Sequence, residues 1–296
     1  MPETIKNCPL CGHHSSSKFD QREFRAHEVA NQICDHCGLV FQSPRMSSAE
    51  LDEFYTAQYR QVYQGEAGPT PKDVFVQNGR ADALLNFIAD AVPGVEHYLD
   101  IGCSTGLLLT RFQERYSCLV VGIEPGDAYR KYANAQGLEV YPDLNAMKNA
   151  IKIDFDLISL AHVLEHLPDP IAYLVSLRKE ILLPQGRLLI EVPNLYAHDS
   201  FELAHMTSFS AHTLRQILQK SGYEIVASQE HGQPRSEILP LYLTVLAVPQ
   251  KEHDLNYVVQ PEINVSRNRK KGMLVRRLIQ KISPHKAWVP LPKDEN

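Results

Sequence analysis

His97-Tyr98-Leu99-Asp100-Ile101-Gly102-Cys103-Ser104-Thr105-Gly106, followed by LLLTRFQERY (107–116), is the stretch whose reading decides the fold. A short apolar run enters two closely spaced glycines and a helical pattern leaves them, so the segment reads as strand, turn and helix. Glycine lets the backbone turn sharply and come close to a ligand without a Cβ in the way. The spacing is G-x-x-x-G, not the G-x-G-x-x-G of dinucleotide binders, and no Lys-Ser/Thr follows as in a P-loop. The loop is therefore shaped for something other than a pyrophosphate. Glu124 closes the next apolar run, LVVGIEP (119–125). A carboxylate there can accept hydrogen bonds from both ribose hydroxyls of a nucleoside.

Upstream, Ala81, Leu84, Leu85 and Ile88 recur at helical spacing. Downstream, the helix DAYRKYANAQ stops at Gly137, and LEVY (138–141), FDLISLAH (155–162) and GRLLIEVP (186–193) read as strands. PIAYLVSLRKEIL and residues 210–221 read as helices, the second stopped by Gly222. YEIVAS and LYLTVLAVP supply two last strands with no helix between them, which predicts antiparallel pairing at one edge. The expectation is an α/β fold: a Rossmann-like, seven-stranded, mostly parallel sheet with helices on both faces, over residues 77–250.

Four of the six cysteines stand in two C-x-x-C pairs, Cys8/Cys11 and Cys34/Cys37, with 22 residues between Cys11 and Cys34. Each pair offers two thiolates from one tight turn, and two such turns complete a tetrahedral, structural Zn²⁺ site with no open position. A redox pair would need a thioredoxin-like strand and helix around it, which this segment lacks. Residues 1–46 thus read as a small N-terminal zinc ribbon, too poor in apolar residues to fold without a staple. The ribbon is expected to be separable, so that Cys34→Ser unfolds it and leaves the main domain largely folded. Ser47-Ser48-Ala49-Glu50 predicts a capping box opening the helix LDEFYTAQYRQVY, and QGEAGPTPK (64–72) is the linker within residues 47–76.

With 296 residues, 44% hydrophobic and 22% charged, the chain is composed like a soluble globular protein. A net charge of −5 provides no overall basic field for nucleic acid, and none is expected as a partner. No apolar run approaches the roughly 18 residues of a membrane span, and MPETIKNCPLCG lacks the regions of a signal peptide. The expected location is cytoplasmic. Residues 251–296 depart from this pattern: Arg267, Arg269, Lys270, Lys271, Arg276, Arg277 and Lys281 sit among apolar residues as in a basic amphipathic helix. The first reading is a helix packed on the domain with its basic face in solvent; peripheral membrane or protein contact is the other. Because the sheet is complete by Pro249, truncation after about residue 260 is expected to spare cofactor binding.

YLDIGCSTG, VVGIEP, FDLISLAHVLEHLPDP, GRLLIEVPN and HMTSFSAHTLRQILQKSGY resemble, in this order, the successive motifs of class I S-adenosylmethionine-dependent methyltransferases, nearest to those carrying LEHLPDP. The resemblance covers roughly residues 80–250. It implies that Gly102 and Gly106 cradle the methionine part of the donor, with Cys103 between them as packing, that Asp100 helps orient it, and that Glu124 holds the ribose. It places Asp143 and Leu144 near the adenine, and Ala161 and His162 against the methionine part and the substrate. CGLVFQSPRMSSAELDEFY resembles the N-terminal module of methyltransferases in bacterial sugar and polysaccharide pathways. It partly resembles the sugar C-methyltransferases, whose further C-terminal domain this chain is too short to contain.

His162-Val-Leu-Glu165-His166 matches the H-x-x-E-H of some metalloproteases, but that pattern needs one continuous helix, and here it follows a strand and breaks at Pro168 and Pro170. Some quinone-pathway O-methyltransferases carry E-x-x-E-H at this place for a divalent metal; here His162 stands where the first carboxylate would be. As base for a hydroxyl nucleophile, His205 in ELAHMTSFS stands slightly ahead of His162, with His198 and Tyr196 on the post-strand loop as looser candidates. The leading expectation is methylation of a small metabolite, a sugar or sugar-nucleotide intermediate by resemblance alone. The alternatives are an RNA methyltransferase using its ribbon on RNA, and a non-catalytic binding protein that retains the fold.

Overall fold

A computed structural model of the chain describes residues 2–54, 68–252 and 257–292. Seven strands form the central sheet: β4 (His97–Ile101), β5 (Leu119–Ile123), β6 (Glu139–Tyr141), β7 (Phe155–Ala161), β8 (Leu182–Pro193), β10 (Tyr223–His231) and β11 (Tyr242–Pro249). Their order across the sheet is β10-β11-β8-β7-β4-β5-β6. The four pairings among the five strands from β8 to β6 are parallel, while β11 runs antiparallel to both β8 and β10. The predicted antiparallel edge is therefore present, and the strand order reverses between β4 and β7, where open α/β sheets place their ligands.

Period-two alternation along each strand divides the core into two layers. Leu99, Ile101, Ile158, Leu160, Leu188 and Ile190 face one side, which the helices α6 (Pro170–Glu180) and α7 (Ala211–Lys220) cover. Tyr98, Val120, Leu157 and Leu189 face the other, under α2 (Pro71–Ile88) and α3 (Leu107–Tyr116). α2 begins at a capping box between Thr70 and Asp73 with Pro71 in its first turn, so it starts inside the expected linker and crosses the boundary drawn at residue 77. The short α1 (Ser48–Glu53) opens on the predicted Ser47/Glu50 capping box; the continuation of that helix, and residues 64–67 of the linker, lie outside the described residues. Two helices follow β5 and β6, α4 (Asp127–Ala135) and α5 (Leu144–Ala150), the second unread in the sequence.

The ribbon comprises β1 (Ser16–Phe24), β2 (His27–Cys34) and β3 (Val40–Gln42), and a two-residue strand of the main domain, β9 (Thr207–Ser208), completes its sheet. Leu10, Leu39 and Phe41 are buried in the same cluster as Leu214 and Ile217 of α7. At roughly 1.5–3 kcal/mol for each large apolar side chain buried, this contact couples the two folds. The ribbon's apolar residues lack a core of their own and share the domain's, so the ribbon docks on the main domain through this cluster.

The tail forms α8 (Val265–Ile282) and α9 (Pro284–Ala287). Arg269, only 7% exposed, points inward and donates to the carbonyls of Leu195 and His198, and Arg276 donates to that of Ala197. Glu262 just before the helix accepts from Tyr196 Oη (2.7 Å) and Ser210 Oγ (2.5 Å). The tail is thus fastened to the loop after β8. The expected helix packed on the domain is present with most of its cations in solvent, but Arg269 and Arg276 turn inward and are partly structural.

Candidate functional site

The loop from β4 to α3 is held by backbone geometry. Gly102 and Gly106 both adopt left-handed φ, +76° and +80°. A Cβ on Gly102 would come within 2.5 Å of Val163 Cγ2, and one on Gly106 would collide with Leu138. The amides of Gly102 and Cys103 both donate to the carbonyl of Ile123, tying the loop to the end of β5. Glu124, 4% exposed, accepts from the amide of Ser104 through one oxygen (2.9 Å) and of Gly126 through the other (2.8 Å). Gln77 of α2 reaches over the loop, donating to Ser104 Oγ (2.7 Å) and accepting from Thr105 Oγ1. Cys103 is buried at 3% exposure, as its packing role requires.

Asp100 lies beneath this loop, accepting from Ser159 Oγ at 2.5 Å. Burial pushes its carboxyl up to about 7, with the nearby Glu124 adding to the rise, against the Ser159 hydrogen bond and Arg80. Asp143 is exposed and caps α5 by accepting from the amide of Ala146 (2.8 Å), while Leu144 is half-buried beside it. These residues flank the carboxyl end of β6, away from the histidines.

Across the cleft, parallel register places Ala161 beside Glu191, and antiparallel register places Thr244 on its other side. Glu191 is fully buried yet charged, and four side chains account for it. Arg80 Nε lies 2.8 Å away, His162 Nε2 and His231 Nε2 lie at 3.1 Å each, and Thr244 Oγ1 donates at 3.2 Å. Burial would raise the Glu191 carboxyl, but His162, His231 and Arg80 hold it well below the usual carboxylate range. Tyr242 stands among the imidazoles of His162, His198 and His231, with ring centroids 5.1, 5.6 and 5.7 Å from its own.

His162 occupies a left-handed φ of +58°, uncommon without glycine, at the point where the chain leaves β7. Its other nitrogen, Nδ1, faces Glu165 Oε1 at 3.3 Å. Burial and Arg80 oppose its charge, but the two carboxylates prevail and raise it, so this imidazole favours the protonated form. Glu165 is 1% exposed, and neither of its oxygens accepts a hydrogen bond from a described residue. Against the effect of burial, His162, His166 and His205 hold its carboxyl at about 2.

His166 Nδ1 meets the carbonyl of Ala204 at 2.9 Å and His205 Nδ1 that of Ser200 at 2.6 Å. Each contact needs an N–H on Nδ1, which leaves Nε2 as the basic nitrogen of the neutral ring. Glu165, His166 and His205 bring their ligand atoms within 4.8 Å of one another, a His₂-carboxylate set able to hold a divalent transition metal. His198 is half-buried, its Nδ1 is enclosed with no hydrogen-bond partner among the described residues, and desolvation drives it down to about 3.

Of the residues expected here, the structure brings Gly102, Gly106, Asp100 and Glu124 together on one side, and Ala161, His162 and His205 on the other. The sequence reading left Glu191, Arg80, His231, Tyr242 and Gln77 unassigned. Glu191 did carry a signal, a lone carboxylate inside the apolar run LLIEVP. The others sit on elements whose approach depends on the tertiary fold.

In the ribbon, Sγ of Cys8 and Cys37, and of Cys11 and Cys34, are 3.5 Å apart, and all four lie within 4.8 Å. A tetrahedral Zn²⁺ with Zn–S near 2.3 Å needs sulfurs about 3.8 Å apart, so the four thiols fit a zinc ion. The knuckle amides of Gly12 and Gly38 return to the carbonyls of Cys8 and Cys34 at 2.9 and 3.0 Å.

A ubiquinone biosynthesis O-methyltransferase of Pseudomonas aeruginosa (strain LESB58) is 28% identical over 182 residues, 55% of this chain and 77% of the relative. Another of that name, from Actinobacillus pleuropneumoniae serotype 5b, is 29% identical over 123 residues, 37% of this chain, which spans only 52% of that relative's length. Burkholderia thailandensis 1,6-didemethyltoxoflavin-N1-methyltransferase, solved with its substrate and S-adenosylhomocysteine, shares the fold at a TM-score of 0.56 and 18% identity, covering 78% of this chain and all of its own. The family model described as a methyltransferase domain matches residues 75–228, more than half of the chain. With that match resting on the very loop, strand ends and helices just described, this chain belongs to the methyltransferase-domain family.

Proposed function

We propose that the chain transfers a methyl group from S-adenosylmethionine to a hydroxyl of a small molecule. The observation that carries this is the glycine loop in left-handed conformation, fixed to the buried Glu124 and facing a histidine-lined wall across the sheet's switch point. The cradle fits the donor because left-handed φ and close neighbours at Gly102 and Gly106 exclude side chains there, so that the backbone itself lines the loop. Bound there, the donor supplies a methyl on a positively charged sulfur for in-line displacement. Each oxygen of a carboxylate has two acceptor sites, so Glu124 can orient the loop and hold a ribose together. Asp143 and Leu144 suit the adenine end, and Asp100 with Ala161 the methionine end.

His205 is the proposed base. Its Nδ1–H is held by Ser200, which aims a basic Nε2 away from that carbonyl, as removal of a hydroxyl proton requires. His162, charged between Glu165 and Glu191, serves better to hold negative charge or orient the acceptor than to take a proton. The quinone-pathway names of the relatives support a small hydroxylated acceptor; the sugar reading has only the likeness of the ribbon module behind it. A second reading, a divalent metal on Glu165, His166 and His205 that would position the acceptor oxygen, is favoured by the buried Glu165 carboxylate, which accepts no hydrogen bond among the described residues and meets His162 Nδ1 as an ion pair at 3.3 Å. Zinc at Cys8, Cys11, Cys34 and Cys37 has a structural role.

Calorimetry with S-adenosylhomocysteine tests the donor site. Glu124→Ala should cost about 2–3 kcal/mol of binding, and a wild-type chain that binds none would leave the non-catalytic reading standing. Methyl transfer to phenols, nucleotide sugars and RNA should be measured side by side, with and without chelator. His205→Ala is expected to slow transfer at least ~10²-fold at unchanged donor affinity. Loss of rate on chelation, restored by a divalent ion, would make His205 a ligand instead.

A further inference from the structure

α8 is turned the wrong way round for a helix that simply covers a core. Its inner face repeats at every third or fourth residue as Val265, Arg269, Gly272, Arg276 and Ile279. At Gly272 a Cβ would collide with the carbonyl of Tyr196, so the helix lies directly against the loop backbone. Its outer face carries Leu274, Leu278 and Ile282, four residues apart, at 67%, 56% and 71% exposure. Lys270, Lys271, Arg277 and Lys281 are exposed beside that stripe. The leucines that a core would claim are in solvent, and two arginines occupy the inside.

We propose that the outer face of α8 seats this protein on an anionic lipid bilayer. Residues 263–292 contain eight Lys and Arg and no Asp or Glu, in a chain whose net charge is −5. The cations are therefore gathered where the apolar residues are exposed. An 18-residue helix is about 27 Å long, and among the described residues no helix is long and apolar enough to cross a membrane. It lies on a surface instead. One row of apolar side chains with cations along its flanks matches acyl chains below a plane of anionic headgroups. A partner helix would instead need a two-position heptad seam along the whole face, and the spacing of Val275, Leu278 and Ile282 is broken one turn earlier by Asn268 and Lys271. The inner face meanwhile holds the loop that carries His198 into the substrate wall.

Sedimentation of the full chain with vesicles tests this. Binding is expected to phosphatidylcholine vesicles containing 30% phosphatidylglycerol, to fall with salt, and to be at least ~10-fold weaker to pure phosphatidylcholine. The triple variant Leu274→Ser, Leu278→Ser, Ile282→Ser should weaken binding about 10-fold or more with unchanged Tm and donor affinity, since all three side chains are mostly in solvent and belong to no core cluster among the described residues. Replacing Lys270, Lys271, Arg277 and Lys281 by Gln should do the same by removing the headgroup contacts. No binding to the anionic vesicles, or binding indifferent to the apolar triple, overturns the proposal. So does a dimer in solution that the apolar triple dissociates, which would make a second copy the occupant.

Discussion

Along the ends of β4 and β5 the groups that face the cleft belong to the main chain: glycine turns, amides on Ile123, and a carboxylate occupied with two backbone N–H groups. Across the cleft, at the ends of β7, β8 and β10, they belong to side chains, five imidazoles and two buried carboxylates drawn from five segments of the chain. The first side depends on local conformation, so one residue can spoil it. The second depends on charge balance in a buried place, so its members stand or fall together. It also leans on its surroundings. The amide of Met206 donates to the carbonyl of Glu165, the amide of Gln42 donates to that of Met206, and the ribbon thereby braces the wall.

The largest expected effect follows from that brace. Structural zinc binding is worth about 10–16 kcal/mol in small zinc domains, so Cys34→Ser should lose the metal and unfold β1–β3. Transfer should then fail while S-adenosylhomocysteine still binds the chain that remains folded. Elemental analysis, turnover and calorimetry on one preparation decide this, and equal loss of both functions would erase the distinction between the two sides.

Next in size is the wall's own carboxylate. Glu191→Ala strands Arg80, His162 and His231 without their anion, a loss of about 3–5 kcal/mol. A fall in Tm of about 10 °C is expected by thermal unfolding. Little change there would mean that water or a substrate anion replaces the carboxylate easily.

Gly102→Val strikes the opposite side. The left-handed φ costs about 1–2 kcal/mol, and the new side chain meets the stiff, β-branched Val163. Donor affinity should fall at least ~100-fold while the pH dependence of stability, set by the wall, stays as it was. Undiminished calorimetric binding would refute the cradle.

The smallest effect is a slope. His198 titrates near 3 when folded and near 6.5 when unfolded. Between those values the unfolded chain takes up a proton that the native one refuses, so stability is full above pH 6.5 and declines as pH drops toward 3. His198→Gln should flatten the dependence of Tm between pH 7 and pH 5. An unaltered slope would place the acid-sensitive group elsewhere.

The sheet, its antiparallel edge, the donor loop and the four-thiol cluster were legible because each depends on residues close in sequence. Period-two strands, glycines in one turn and paired C-x-x-C knuckles declare themselves locally. Asp143 and Leu144 do follow the third strand, but they open a helix that no local pattern announced. The wall was only half legible: His162, Glu165 and His205 stood out by type, but Glu191 lies 111 residues from its partner Arg80 and 29 from its partner His162. The direction of α8 was misread for a related reason. A hydrophobic stripe beside a basic one says that a helix has two faces, and by itself determines no more than that. Which face turns inward was decided by the carbonyls of Leu195, Ala197 and His198, which need donors that arginine has and leucine lacks.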